Sequence, residues 1–313
     1  MRGFRSVVGT LLAALLLAAC AGPTALPAPA VDPCGAFAPG FTRGTVPPAP
    51  GHPGAVGLDV AVGGPAGAPP VVLLHGFPET ATTWRAVAVD LAADHRVLVP
   101  DLRGVGCSPL APAGSDAYDK RSMADDLVAL AGTLRLPPAL VVGHDMGAMT
   151  AFAWARERPD QVRGLVLSGG GIPGYGLAEL GPPHLVAFAA PPGVVARSVG
   201  ADVPGFLARF VGDPAVAASG ALADADAAYG RPGRLDAALG QYRALARDAA
   251  ANRADASPLP MPVTTVEGGA PGISSATVRT LAPSVHVVVV PGAGHAVQQD
   301  RPRETAAAIR AAG

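Results

Sequence analysis

Lysine is almost missing from this chain: of 23 Lys and Arg residues only Lys120 is a lysine, a skew that points to genomic bias behind part of the Ala, Gly, Pro and Arg content. Charge is scarce as well, at 15% of residues and a net −1. That balance excludes a nucleic-acid binder, which needs a basic face to displace counterions. No Gly-x-Gly-x-x-Gly follows a strand-like run, so a dinucleotide site is not expected. The three cysteines lack metal-ligand spacing, and neither a metal nor a cofactor is implied. No repeat of solenoid or propeller period is present. Gly 40 and Pro 34 make up about a quarter of the 313 residues, a level at which disorder must be weighed. The 50% hydrophobic content and low net charge exclude it.

What is present begins with an address. Arg2 and Arg5 precede an apolar run from Leu11 to Ala19 that ends at Cys20. This is the layout of an export signal, and the run is shorter than the ~18 residues that span a bilayer. Leu17-Ala18-Ala19-Cys20 resembles a bacterial lipobox, which makes Cys20 the expected lipidation site and the mature protein an outward-facing membrane lipoprotein. Cleavage to a soluble secreted form is the alternative. The Pro, Ala and Gly content from Ala21 to about Pro53 suits a semi-rigid tether. In an oxidising compartment Cys34 and Cys107 are available to pair, although sequence alone does not bring them together.

Beyond the tether, short aliphatic runs alternate with Ala-rich helical stretches. Val71–Leu74, Val97–Val99, Leu140–Val142, Leu165–Leu167, Val263–Val266 and Val285–Val290 read as buried strands. Met123–Leu134, Ala148–Arg156 and Arg303–Ala312 read as crossover helices. The expected fold is a doubly wound, mostly parallel α/β sheet. Residues 171–257 lack strong strands and read as a helical insertion over the C-terminal sheet edge, where such folds bind ligands. The expected division is a signal at 1–19, a tether at 20–54, a core at 55–170 and 258–313, and a cap at 171–257.

The chemistry concentrates at Val141-Val142-Gly143-His144-Asp145-Met146-Gly147, where a strand meets a helix through Gly-x-Asp-x-Gly. That context is a nucleophile elbow with Asp145 in place of the usual serine. An aspartate with an ordinary pKa of ~4 is already ionised at neutral pH. Its attack on an acyl carbon would give an anhydride, whereas attack on an sp³ carbon gives an ester that water can open. Asp145 therefore points to epoxide opening or halide displacement. His295, after the last strand in Pro291-Gly292-Ala293-Gly294-His295, is the expected base for that water. The backbone N–H groups of Phe77 and Met146 are the expected oxyanion donors.

Four motifs, His75-Gly76-Phe77-Pro78-Glu79 with Trp84, Asp101-Leu102-Arg103-Gly104-x-Gly106-x-Ser108, Gly143–Gly147 and Gly294-His295, resemble the epoxide hydrolase branch of the α/β-hydrolase superfamily in matching order from about Gly57 onward. The resemblance implies an α/β-hydrolase fold whose helical cap carries two acids that protonate the epoxide oxygen. Gln241-Tyr242-Arg243-Ala244-Leu245 assigns Tyr242 as one, and Pro183-His184-Leu185 assigns His184 as the other, as in a His–Tyr subgroup. It also implies a small hydrophobic substrate and a third carboxylate that orients the histidine. Pro271 and Gly169 stand where that acid is expected, and Glu267 is about four residues early. Either Glu267 reaches His295 in a shifted register, an Asp–His dyad works slowly, or turnover has been lost and a ligand-binding surface lipoprotein remains. A haloalkane dehalogenase is the enzymatic alternative, but Met146 replaces the tryptophan or arginine those enzymes place after the nucleophile. An esterase lacks its serine here.

Overall fold

Two-residue alternation inside the apolar runs dictates how the sheet is covered. In the computed structural model, Val71 and Leu73 bury on one face with Val97, Val99 and Val142, while Val72 and Leu74 bury on the other with Leu98, Val141 and Leu167. Side chains of a strand point alternately to opposite faces, so a run that is apolar throughout must be sandwiched between helices. The structure describes residues 32–112, 117–180, 183–211, 221–270 and 272–313. Its eight strands are β1 (Phe41–Val46), β2 (Leu58–Gly63), β3 (Pro70–Leu74), β4 (Arg96–Pro100), β5 (Ala139–His144), β6 (Val162–Ser168), β7 (Val263–Gly268) and β8 (His286–Val290). They stand in the order β1-β2-β4-β3-β5-β6-β7-β8, antiparallel at β1–β2 and β2–β4 and parallel elsewhere.

Helices α1 (Arg85–Leu91), α2 (Lys120–Leu134) and α3 (Met146–Glu157) follow β3, β4 and β5. Asp119 caps α2 by accepting from the Ser122 N–H at 3.0 Å. Between β6 and β7 the described chain forms no strand; it holds α4 (Leu177–Leu180), α5 (His184–Phe188), α6 (Val194–Val199), α7 (Val203–Val211), α8 (Ala221–Tyr229), α9 (Arg234–Arg243) and α10 (Leu245–Ala254). α11 (Ile273–Val278) follows β7, and α12 (Val297–Asp300) and α13 (Pro302–Ala311) follow β8. A third apolar cluster joins Phe77, Met146 and Met149 of the sheet side to Phe188, Leu207, Tyr229, Leu239 and Tyr242 of the inserted helices. The insertion therefore packs on the residues that surround the elbow.

The segment expected to be a tether is corrected in part. Phe41–Val46 pairs with β2, Phe37 is buried in the core, and Cys34 forms a disulfide with Cys107 at a Cα–Cα distance of 5.6 Å. The prolines that suggested a tether flank the strand rather than interrupt it, leaving every ladder N–H available. Cys20 and the export signal lie outside the described residues. Among the described residues no helix is long and apolar enough to cross a membrane, and no cluster of metal-ligating side chains occurs.

Candidate active site

β5 and α3 meet in a turn too tight for ordinary residues. Asp145 takes φ 51° and ψ −120°, a conformation that costs a non-glycine residue of order 1–3 kcal/mol and needs its surroundings to impose it. The flanking glycines show how. A Cβ on Gly143 would lie 2.4 Å from the Gly147 carbonyl oxygen, and one on Gly147 would lie 2.4 Å from that of His75. Strand, helix and the loop after β3 thus approach at backbone contact, and the Asp145 N–H donates to the Ser168 carbonyl at 2.8 Å. The side chain is pushed out above the sheet.

The loop after β3 meets it there. The Phe77 N–H donates to Asp145 Oδ1 at 3.0 Å. Met146 N opens α3, where the first helical N–H groups have no partner inside the helix. The Asp-Leu-Arg-Gly-x-Gly-x-Ser motif holds that loop from beneath: Asp101 Oδ1 accepts from Ala81 N at 2.8 Å and Oδ2 from Cys107 N at 3.0 Å. Arg103 pairs with buried Asp126 through two 2.6 Å bonds. His75 is fully enclosed, its Nε2 accepting from Leu102 N at 3.0 Å, which makes it a structural residue of the loop.

His295 Nε2 stands 3.9 Å from Asp145 Oδ2, the oxygen that Phe77 does not hold. Its side chain is 60% exposed. The rings of His295 and His144 are 4.7 Å apart, and burial, followed by the charge of His295, depresses His144 to a pKa of about 3. His144 is therefore neutral at physiological pH. Glu267 does not turn to His295. Its Oε1 accepts from Ser275 N at 2.6 Å at the start of α11, and its buried Oε2 has no hydrogen-bond partner among the described residues. Gly169 sits against His295, with a φ of +62° and room for a Cβ only 3.0 Å from His295 Cε1. A carboxylate-bearing side chain does not fit that backbone. Pro271 lies outside the described residues.

From the inserted helices, Tyr242 arrives over Phe77 and His184 stands beside Tyr242. Tyr242 is 1% exposed, its ring 5.7 Å from Phe77 and 6.0 Å from the His184 ring. Burial, reinforced by the negative charge of Asp145, holds the Tyr242 hydroxyl well above the ordinary tyrosine range. Burial lowers His184, with Asp145 acting against the shift. Lys120 anchors this arrangement from the sheet side: its Nζ donates to Gln241 Oε1 at 2.8 Å, and its backbone N–H to Asp248 Oδ1 at 2.9 Å. Two further residues come into the site, Glu79 from a loop motif and Tyr229 from a helix that no motif had marked. Tyr229 donates to the Glu79 carbonyl at 2.6 Å, and the Glu79 carboxylate lies 3.7 Å from His144 Nε2.

Comparison with known proteins agrees with the fold. A family model described as alpha/beta hydrolase fold matches residues 69–281. The chain is similar to Epoxide hydrolase 2 of Siraitia grosvenorii, 38% identical over 111 residues that make up 35% of each chain. It is similar to Fluoroacetate dehalogenase of Burkholderia sp., 38% identical over 116 residues, 36% of this chain and 38% of that one. The matched segment thus spans about a third of the length of these curated relatives. Among solved structures it is similar to the epoxide hydrolase CorEH without ligand, with a TM-score of 0.76 and 26% identity, covering 87% of this chain and 98% of that one.

Proposed function

The chain belongs to the alpha/beta hydrolase fold family, and within that family of hydrolases we propose that it converts epoxides to vicinal diols through an alkyl ester on Asp145. The observation that carries this reading is the division of labour between the two carboxylate oxygens. Oδ1 is held by the Phe77 N–H at 3.0 Å, and Oδ2 is left facing His295 at 3.9 Å. Oδ2 attacks an epoxide carbon and the C–O bond of the ring breaks. The departing oxygen takes a proton from Tyr242 or His184 of the inserted helices; a hydroxyl kept protonated by burial suits that task. Water then adds to the ester carbonyl carbon as His295 takes its proton. The oxyanion forms on Oδ1 between the N–H groups of Phe77 and Met146. Collapse expels the diol oxygen, which receives the proton back from His295; the second proton of the water, left on the Asp145 carboxyl, returns to the donor that opened the ring, so epoxide and water become diol with the enzyme regenerated.

The relatives named epoxide hydrolase, together with the apolar cluster of Phe77, Phe188 and Tyr242 beside Asp145, support a small hydrophobic organic substrate. A dehalogenase reading draws on the fluoroacetate dehalogenase relative, but Met146 supplies no side-chain donor for a departing halide. Single turnover of an epoxide in ¹⁸O-water tests the mechanism. One label should enter the Asp145 side chain, and an unlabelled Asp145 with labelled diol defeats it. For the N-terminus we propose export and lipidation at Cys20, with the protein anchored on the outer side of the cell membrane. The basic start, apolar run and Leu-Ala-Ala-Cys pattern support this. Radiolabelled palmitate should enter the unaltered chain and not Cys20→Ala; equal labelling or none in both rejects it.

A further inference from the structure

Val186 is 73% exposed, the most of any large apolar side chain among the described residues. It lies on α5, whose other residues belong to the site: the rings of His184 and Phe188 are 6.0 Å and 5.2 Å from that of Tyr242. Pro183, Ala189, Pro191 and Pro192 are exposed beside Val186, and no Asp, Glu, Lys or Arg occurs from Pro183 to Ala196. A lone exposed valine needs no reason, but a continuous uncharged apolar strip does. The N-terminal end of the described chain is fastened on the same side of the molecule. Cys34 is bonded to Cys107, in the loop that follows β4 at the C-terminal edge of the sheet. The neighbouring Ser108 carbonyl accepts from Arg234 Nη1 of α9, and the 40% exposed Leu110 lies beside Gly233. Tyr242, which meets α5, stands on the same helix about 12 Å further along by the helical rise. α9 thus connects the disulfide to the apolar strip.

Resting on the reading of Cys20 as a lipid anchor, we propose that α5 and its flanking prolines form a membrane-docking face, seated in the bilayer that holds the anchor. The chain between Cys20 and Asp32 reaches at most about 40 Å even when fully extended. A folded body of this size is roughly 50 Å across. The face beside Cys34 therefore stays within reach of the lipid, and the opposite edge of the sheet lies a full diameter further off. The strip is much shorter than the roughly 20–30 residues a side that hold a stable dimer. Against a bilayer a short strip suffices, because the anchor makes the second contact intramolecular and raises its effective concentration. The absence of charge lets it enter the boundary between headgroups and acyl chains. Docked in this way, α5 touches lipid through Val186 and the site through His184 and Phe188, so an apolar substrate dissolved in the bilayer is presented to the site directly.

The experiment places the full lipid-bearing chain in vesicles of phosphatidylcholine and phosphatidylglycerol whose acyl chains are brominated, and reads tryptophan quenching. Trp84 and Trp154 are 0% and 1% exposed, so neither meets lipid. In separate variants Val186→Trp and Ala189→Trp should each lose about half of the added emission, as expected of a face sunk some 5–10 Å into the interface. His286→Trp, exposed at the start of β8 on the opposite edge of the sheet, should lose none. Adding Val186→Asp to Ala189→Trp should abolish its quenching while palmitate labelling of Cys20 stays the same. Unquenched probes on α5 in a palmitate-labelled chain, quenching no greater than at His286→Trp, or quenching that survives Val186→Asp overturns the docking face and leaves the anchor standing. No palmitate in the unaltered chain removes the anchor and this inference together.

Discussion

Asp145 and His295 stand 3.9 Å apart, yet they are held by different kinds of force. Asp145 is fixed by backbone: a positive φ, two glycines at van der Waals contact, and N–H bonds at both its amide and its Oδ1. His295 sits in a solvent-facing loop, steadied chiefly by the bond from Gly294 N to Asp300 Oδ2 at 2.7 Å, and among the described residues no carboxylate but that of Asp145 pairs with its ring. Attack requires a nucleophile placed to within fractions of an ångström, which rigid backbone supplies. Proton transfer from water requires a favourable charge balance, which can be supplied through space. The two halves of the site therefore respond to different kinds of change.

The sharpest way to break the comparison is Asp145→Asn, which should lower turnover at least about 10⁴-fold and leave no ester by mass spectrometry. A residual rate with unchanged product would place the nucleophile elsewhere. His295→Gln should lower steady-state turnover about 10³-fold while the ester still forms and accumulates, separating the two halves in one variant. Tyr242→Phe should slow ester formation about 10- to 10²-fold and leave emptying intact, because only the first half uses the donor. Its raised pKa also predicts that ring opening loses no rate until pH passes the ordinary tyrosine range, read from a pH series of ester formation. The smallest effect concerns the strut beneath Tyr242. Burial depresses Lys120 to about 8 from 10.5, so between these values the unfolded chain holds a proton that the folded chain lacks. Stability should then rise with pH from about 8 toward 10, measured by urea midpoints, and Lys120→Met should flatten the slope.

Residue types at close sequence spacing pointed to the candidate site. Gly143, Asp145 and Gly147 require one another within a single turn, and His295 follows its strand directly, so both were legible. Tyr242 and His184 came from resemblance, and the fold places their rings 6.0 Å apart. Glu79 was visible only as a letter of a loop motif. Its placement depends on Gln298, 219 residues away, and on His144, contacts that no local pattern encodes. β1 escaped notice because its surroundings are rich in proline and glycine, and only pairing with β2 makes Phe41–Val46 a strand. Glu267 looked like a substitute acid because it ends β7, yet the direction of its side chain was set by the N-terminus of α11.

Alternating apolar runs, an aspartate between glycines at a strand–helix junction and a histidine after the final strand are local demands of sterics and burial, and the sequence by itself determined them. Which oxygen of Asp145 faces His295, which rings gather over Phe77 and which groups hold Glu79 were decided only when distant strands and loops converged. Those properties depend on distances of 3 to 4 Å between residues far apart in the chain, and only the tertiary structure establishes such distances.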